Sequence, residues 1–206
     1  MDTTRAALLL CGFIVVLGAC GTWTWAQTFG RDITVHVEKD GSAFVVSAEL
    51  TVAANADEVW VVLTDFDHMA QILSNVDASQ IANRDGNKFE VIQKSHASTG
   101  PLRISHDSVR QVELSPQQEI RSHLLKGNLK SSDFTTRIAE ENGGIRITVH
   151  GKFVASGLSA SAITPEAVES QTRRQYQELR EEILRRKANE PRPPCLLAKN
   201  CTQESG

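Results

Sequence analysis

The chain has 206 residues, 40% of them hydrophobic and 23% charged, a size and apolar share that suit one domain with a sizeable core. Its 22 Lys and Arg against 25 Asp and Glu give a net charge of −3, with no basic block. Phosphate binding needs clustered cations, so nucleic acid is excluded as the expected partner.

The N-terminus reads as a targeting segment, because Arg5 precedes an apolar run over residues 6–17 and small residues follow. The run is too short to span a bilayer comfortably. Two processing outcomes compete. Leu17-Gly18-Ala19-Cys20 has the form of a lipoprotein box, which would anchor the mature chain through a lipid on Cys20. Thr24-Trp25-Ala26 before Gln27 suits an ordinary signal peptidase and would release a soluble protein. Both export the chain, to a periplasmic or extracellular place, so residues 1–26 are expected to be a signal peptide.

Of the 4 Cys, Cys11 and Cys20 fall in that segment, leaving Cys195 and Cys201 as a close pair. An oxidising compartment would allow them to form a disulfide. No His lies near enough in sequence to make them a metal site.

Residues 27–32 look like a linker. Strand patterns follow at 33–38 and 43–52 around the turn dipeptide Asp40-Gly41, so a hairpin fits here. Asn55 is a good N-cap for a helix over 57–63, with Asp57 and Glu58 in its first turn, where the helix dipole favours them. Asp65 is the expected cap of a second short helix, in which Phe66, Met69, Ile72 and Leu73 keep helical spacing.

Strand patterns then recur at 76–83, 88–96, 103–114, 119–125, 130–139 and 145–154. Asp85-Gly86-Asn87, Thr99-Gly100-Pro101, Ser115-Pro116, Lys126-Gly127-Asn128 and Asn142-Gly143-Gly144 separate them. Short turns between successive strands make an up-and-down antiparallel meander. Thr164 and Pro165 start a helix running to about Lys187. Val168, Thr172, Tyr176, Leu179 and Ile183 form its apolar stripe. Glu169 with Arg173, Arg174 with Glu178, Glu181 with Arg185 and Glu182 with Arg186 are the expected pairs four apart. Residues 189–206, with Pro191, Pro193 and Pro194, read as a tail.

This order predicts an α+β fold in which a curved antiparallel sheet wraps around a long C-terminal helix, with two short helices after the first strand pattern, and leaves an internal cavity suited to apolar molecules. Residues 56–73, ADEVWVVLTDFDHMAQIL, followed by RDGNKFEV at 84–91, resemble the opening of the START-like (SRPBCC) superfamily. That superfamily includes polyketide cyclases and dehydrases, coenzyme Q-binding proteins and birch-pollen-allergen-like folds. Trp60, Leu63-Thr64-Asp65 and Phe66 occupy the places of its aromatic, turn and second aromatic residues, and GNLKSSDFTTRI at 127–138 resembles its glycine-then-aromatic strand. The family's commonest pattern has a proline where Leu73-Ser74-Asn75 stand here. The resemblance covers about residues 44–186 and implies the helix-grip fold over a domain at 27–188. It does not fix the activity, since binding, transport and catalysis share this scaffold.

Trp60, Phe66, Phe89, Phe134, Phe153 and Tyr176 are candidates to contact a ligand, with His106 as the polar member, although an aromatic residue taken alone is more often core. His96, His106 and His123 lie on three successive strand patterns, but their parity does not bring them together. Asp65 with Asp67 would be an acid/base pair only if capping did not explain Asp65. No phosphate loop, nucleophile elbow or zinc spacing occurs, and no metal or cofactor is expected. The small-residue stretch 151–162 reads as a flexible entrance loop beside Phe153 and Leu158, or as a plain linker.

The expected function is an exported protein that binds or carries an apolar small molecule, a lipid or isoprenoid quinone, with contact to a membrane surface. One alternative is a cyclase-, dehydrase- or hydrolase-like enzyme on an aromatic or polyketide-type substrate, with His96, His106 or His123 as base. Another is an envelope interaction module working through the Cys195 and Cys201 tail and the charged helix.

Overall fold

Alternation dictates the first hairpin. Ile33, Val35 and Val37 are buried while Thr34, His36 and Glu38 between them are exposed, which is the period of a strand with one wet face. In the computed structural model, which describes residues 33–99, 102–157 and 163–190, these residues form β1 (Thr34–Asp40), turned by Gly41 at φ 59° into β2 (Ala43–Val52). The left-handed backbone at this turn is one that glycine adopts without strain. The short helices therefore follow a completed hairpin, the second strand and not the first. The expected signal peptide and the Cys195–Cys201 pair lie outside the described residues.

Helix α1 (Ala56–Leu63) begins with a reciprocal cap. Asn55 Oδ1 accepts from the Glu58 amide at 2.8 Å, and Glu58 Oε2 accepts from the Asn55 amide at 2.7 Å. Two otherwise orphaned amides are satisfied at once. Asn55→Ala is expected to cost about 1 kcal/mol, read as a fall in melting temperature of about 2–4 °C for a domain of this size.

A single turn of 3-10 helix at Phe66–His68 leads into α2 (Met69–Ile72). Asp65 precedes it but makes no side-chain cap, contrary to expectation. Its two oxygens are committed elsewhere, to His68 Nδ1 at 2.6 Å and Arg186 Nη2 at 2.7 Å. Asp67 instead accepts from the Ile81 amide at 2.7 Å, where the β3–β4 register shifts. The two carboxylates thus serve separate structural contacts.

Six long strands follow: β3 (Val76–Asp85), β4 (Lys88–Thr99), β5 (Leu102–Ser115), β6 (Glu119–Gly127), β7 (Leu129–Glu141) and β8 (Gly144–Ala155). They form one eight-stranded antiparallel sheet in the order β1-β2-β8-β7-β6-β5-β4-β3. Residues 151–155 belong to β8, and 151–154 are paired on both sides, so the expected entrance loop cannot begin there. Leu158 lies outside the described residues.

Register sets the concave face. Phe44, Val46, Ala48, Leu50 and Val52 pair with Phe153, Gly151, Val149, Ile147 and Ile145. Directly paired residues share a face, so these form one apolar strip, and the Phe44 and Phe153 rings stack with centroids 5.1 Å apart.

Helix α3 (Pro165–Asn189) lies across this strip, its Thr164 hydroxyl accepting from the Ala167 amide. Leu179 and Ile183 are buried in the same cluster as Val59, Val62 and Ile147. Of the expected pairs, Glu169–Arg173 and Glu182–Arg186 form at 2.8 and 2.7 Å. Arg185 pairs with Glu182 instead, three residues away. Glu178 leaves the helix surface to accept from the Ser74 amide and hydroxyl at 2.9 and 2.5 Å. Asn75 accepts from Gln175 at 3.1 Å. The segment that carries proline in the family's commonest pattern is here hydrogen-bonded to α3.

Asp65, Glu182 and Arg186 clamp the end of α3 to the short helices. Hydrogen bonds from Arg185 and Arg186 outweigh the effect of burial and hold Glu182 down at about 2. For Asp65, burial alone would raise the pKa, but the hydrogen bonds from His68 and Arg186 lower it on balance. A carboxylate with a depressed folded pKa stabilises above its unfolded value and loses that contribution as pH falls through the folded one. Thermal midpoints are therefore expected to fall from about pH 4.5, the unfolded range of these groups, towards pH 2. Asp65→Asn should flatten part of that slope.

Candidate functional site

The concave face has two halves, and strand parity separates them. On β5 the inward series runs Ile104, His106, Ser108, Arg110, Val112 and Leu114. Its apolar end, with Phe89, Val91, Ile120 and Ile138, is packed core under the short helices and the second half of α3. Its polar centre lies opposite the first half of α3, and there the sheet and helix do not meet. A cavity of about 390 Å³ remains between them, within the range of small-molecule sites.

One wall of this cavity is apolar, made by Val46, Val149, Phe134, Phe153, Val168 and Tyr176. The other is polar and includes Gln93, Ser95, His106, Arg110, Ser122 and Ser132. Burial pushes the Tyr176 phenol well above its usual value, only partly countered by Thr136, so it stays a neutral hydroxyl. Gly151 explains how Phe134 reaches its place. The two are cross-strand partners, and the Phe134 ring lies over the glycine backbone, in space that any Cβ would occupy.

His106 is held by a defined network. Asn128 Nδ2 donates to the Ser105 carbonyl at 2.9 Å, which turns Asn128 Oδ1 toward His106 Nδ1 at 2.5 Å. His106 Nδ1 must then be the donor, and Nε2 carries the lone pair. Burial lowers the pKa of His106 against the opposing effect of the Asn128 bond, and the nearby Arg110 charge lowers it further. The imidazole is therefore neutral at pH 7.

Arg110 is half-buried beside it. Its Nε donates to Ser122 Oγ at 2.6 Å and its Nη2 to Ser132 Oγ at 3.3 Å. Burial lowers its pKa, partly countered by the charge of Asp133. Asp133 itself is on the other face of the sheet, paired with His123 at 2.5 Å.

The structure thus brings together four of the seven residues expected to contact a ligand: His106, Phe134, Phe153 and Tyr176. Trp60, Phe66 and Phe89 lie outside the cavity wall. They pack at the other end of the sheet, where the Phe66 and Phe89 rings are 6.1 Å apart and the Arg84 guanidinium covers Phe89 at 4.9 Å. Among the three strand histidines, His106 is on the concave face. His123 is on the convex face, and His96, at the cavity border, turns Nδ1 to Asp77 at the sheet edge at 3.1 Å. No group of three or more metal-ligating side chains occurs among the described residues. Sequence reasoning missed Arg110 and the serines that hold it. The signal was available in β5, where Val112 and Leu114 set the inward parity that Arg110 and His106 share.

A curved antiparallel sheet gripping a C-terminal helix across a ligand-sized cavity defines a START-like helix-grip domain. The sequence agrees, and the chain belongs to the polyketide cyclase/dehydrase and lipid transport family, whose model matches residues 43–184. Among solved structures it is similar to a STAR-related lipid transfer protein from Xanthomonas axonopodis, with a TM-score of 0.63 and 16% identity over 75% of this chain and 95% of that one. An aromatase/cyclase from Streptomyces is similar with a TM-score of 0.56 and 19% identity, over 71% and 94%. A START superfamily protein from Mycobacterium smegmatis is similar with a TM-score of 0.54 and 14% identity, over 69% and 95%. At these identities the likeness shows the fold alone. No curated protein matches the sequence.

Proposed function

We propose that this protein is an exported carrier that holds an apolar or amphipathic small molecule, of the lipid or isoprenoid quinone kind, between the sheet and α3. The observation that carries the reading is the cavity of about 390 Å³ with one apolar and one polar wall. Apolar burial would supply binding at roughly 25 cal/mol per Å², and the polar wall would orient the ligand. Membership in a family described by cyclase, dehydrase and lipid transport functions supports the same class of ligand. Export rests on Arg5, the apolar run at 6–17 and the Ala26-Gln27 junction, and loading at a membrane surface would follow from it. Native mass spectrometry of the processed protein, with extraction of any bound molecule, tests the whole reading. A co-purifying lipid or quinone is the expected result, and the N-terminal mass decides between release after Ala26 and a lipid on Cys20. Protein that carries no lipid and takes up no apolar probe overturns the carrier.

A second reading, catalysis on a polyketide-type substrate, is favoured by His106. A neutral imidazole with its tautomer set by Asn128 has the lone pair a general base needs. His106→Ala that stops turnover while leaving ligand binding intact would establish it.

A further inference from the structure

Arg110 is a cation without an anion. Its hydrogen bonds go to two neutral hydroxyls, on Ser122 and Ser132, and among the described residues no carboxylate lies within ion-pair distance of it. Other arginines of the fold are differently placed: Arg137, Arg146, Arg173 and Arg186 each meet a glutamate or aspartate. An arginine turned into a cavity is costly unless its charge is matched. Apolar residues at the same inward parity, Val112 and Leu114, would fill such a position without that cost.

A second group on the opposite wall has the same polarity. Gln171, on α3, lines the cavity and has a buried side-chain amide nitrogen with no hydrogen-bond partner. Buried donors normally find acceptors. A guanidinium and an orphaned amide donor in the walls of one cavity therefore leave acceptor capacity missing between them. Asn75, nearer the short helices, is already used by Gln175. The apolar wall of Phe134, Phe153, Val149 and Val168 completes an amphipathic space.

We infer that the cavity takes an amphiphile with an anionic head, a carboxylate or a phosphate, whose oxygens meet the guanidinium of Arg110 and the amide of Gln171 while its apolar body lies against Phe134, Phe153 and Val168. This rests on the carrier reading and narrows it from apolar molecules in general to acidic ones. The planar fork of arginine suits such oxygens, since it offers two parallel donors.

The test is displacement of Nile red, a neutral probe, by size-matched ligands: dodecanoate, dodecyl phosphate and dodecanol, all below their aggregation thresholds. In the wild type, dodecanoate or dodecyl phosphate is expected to compete at least about tenfold better than dodecanol, a difference of about 1.4 kcal/mol. Which acid wins identifies the head as carboxylate or phosphate. Arg110→Met should bring acid and alcohol within about twofold of each other while dodecanol still binds. Arg110→Lys should keep part of the preference. Gln171→Leu, on the helix, provides a variant that leaves the sheet untouched, and should reduce the acid preference severalfold.

Equal competition by acid and alcohol in the wild type overturns the inference, as does an acid preference that survives in Arg110→Met. In both cases the carrier reading stands, because the neutral ligand binds. Failure of the wild type to take up Nile red or any of the three ligands overturns the two together.

Discussion

Ile183→Ala is expected to lower the free energy of unfolding by about 2–5 kcal/mol, the usual cost of truncating a fully buried aliphatic side chain. Ile183 is 0% exposed and shares one continuous core with Val59, Val62 and Ile147. Helix α3 is strongly charged over most of its surface, and only Leu179 and Ile183 are buried along it. Nothing else on the helix could refill the space. Leu184, the next residue, is 39% exposed, so Leu184→Ala should stay within about 0.5 kcal/mol of the wild type. Urea denaturation checks both, as a shift of midpoint at unchanged slope. Because α3 also forms one wall of the cavity, Ile183→Ala should release bound ligand faster, whatever that ligand is.

Gly151→Ala is expected to destabilise by about 1–3 kcal/mol, the range for inserting a group into a filled site, and to weaken uptake of an apolar probe. A Cβ at this position would stand 2.4 Å from the Asp133 carbonyl oxygen and 2.4 and 2.6 Å from two Phe134 ring carbons. The carbonyl belongs to β7, which is paired to β6 and β8, so the backbone cannot withdraw without breaking its ladders. The ring is free to move only toward the cavity, and there it takes ligand volume. Phe134→Ala in the same background should recover part of the loss, giving a non-zero coupling energy in a double-mutant cycle. Simple additivity of the two changes would show that the ring does not rest on Gly151 in solution.

Both expectations depend on how the concave face is divided, and the elements that build that face, though not the division itself, were legible along the chain. The alternation of Ile145, Ile147 and Val149 marks a strand with one apolar face, and Thr164-Pro165 marks the start of α3. Asn55 marks the N-cap of α1, with Glu58 in its first turn. These features were readable because each depends on residues no more than a few positions apart, where backbone geometry fixes what a side chain can reach. Phe134, Phe153, Tyr176 and His106 could be named as candidates for the same reason. Trp60, Phe66 and Phe89 could not be told apart from them, since an aromatic residue looks the same whether it fills a core or lines a hole.

By itself, then, the sequence determined the order of the elements, the antiparallel meander and the helix-grip class, because periodicity and turn chemistry are local properties. Tertiary structure alone decided the partners that are far apart in the chain. Asp65 meets Arg186 rather than capping a helix, Glu178 meets Ser74 rather than Arg174, and Arg110 turns into the cavity between Ser122 and Ser132. The same charged side chain serves solvent, an ion pair or a binding site according to which surface lies opposite. That surface is set by the curvature of the sheet and the seating of α3, which no short stretch of the chain encodes.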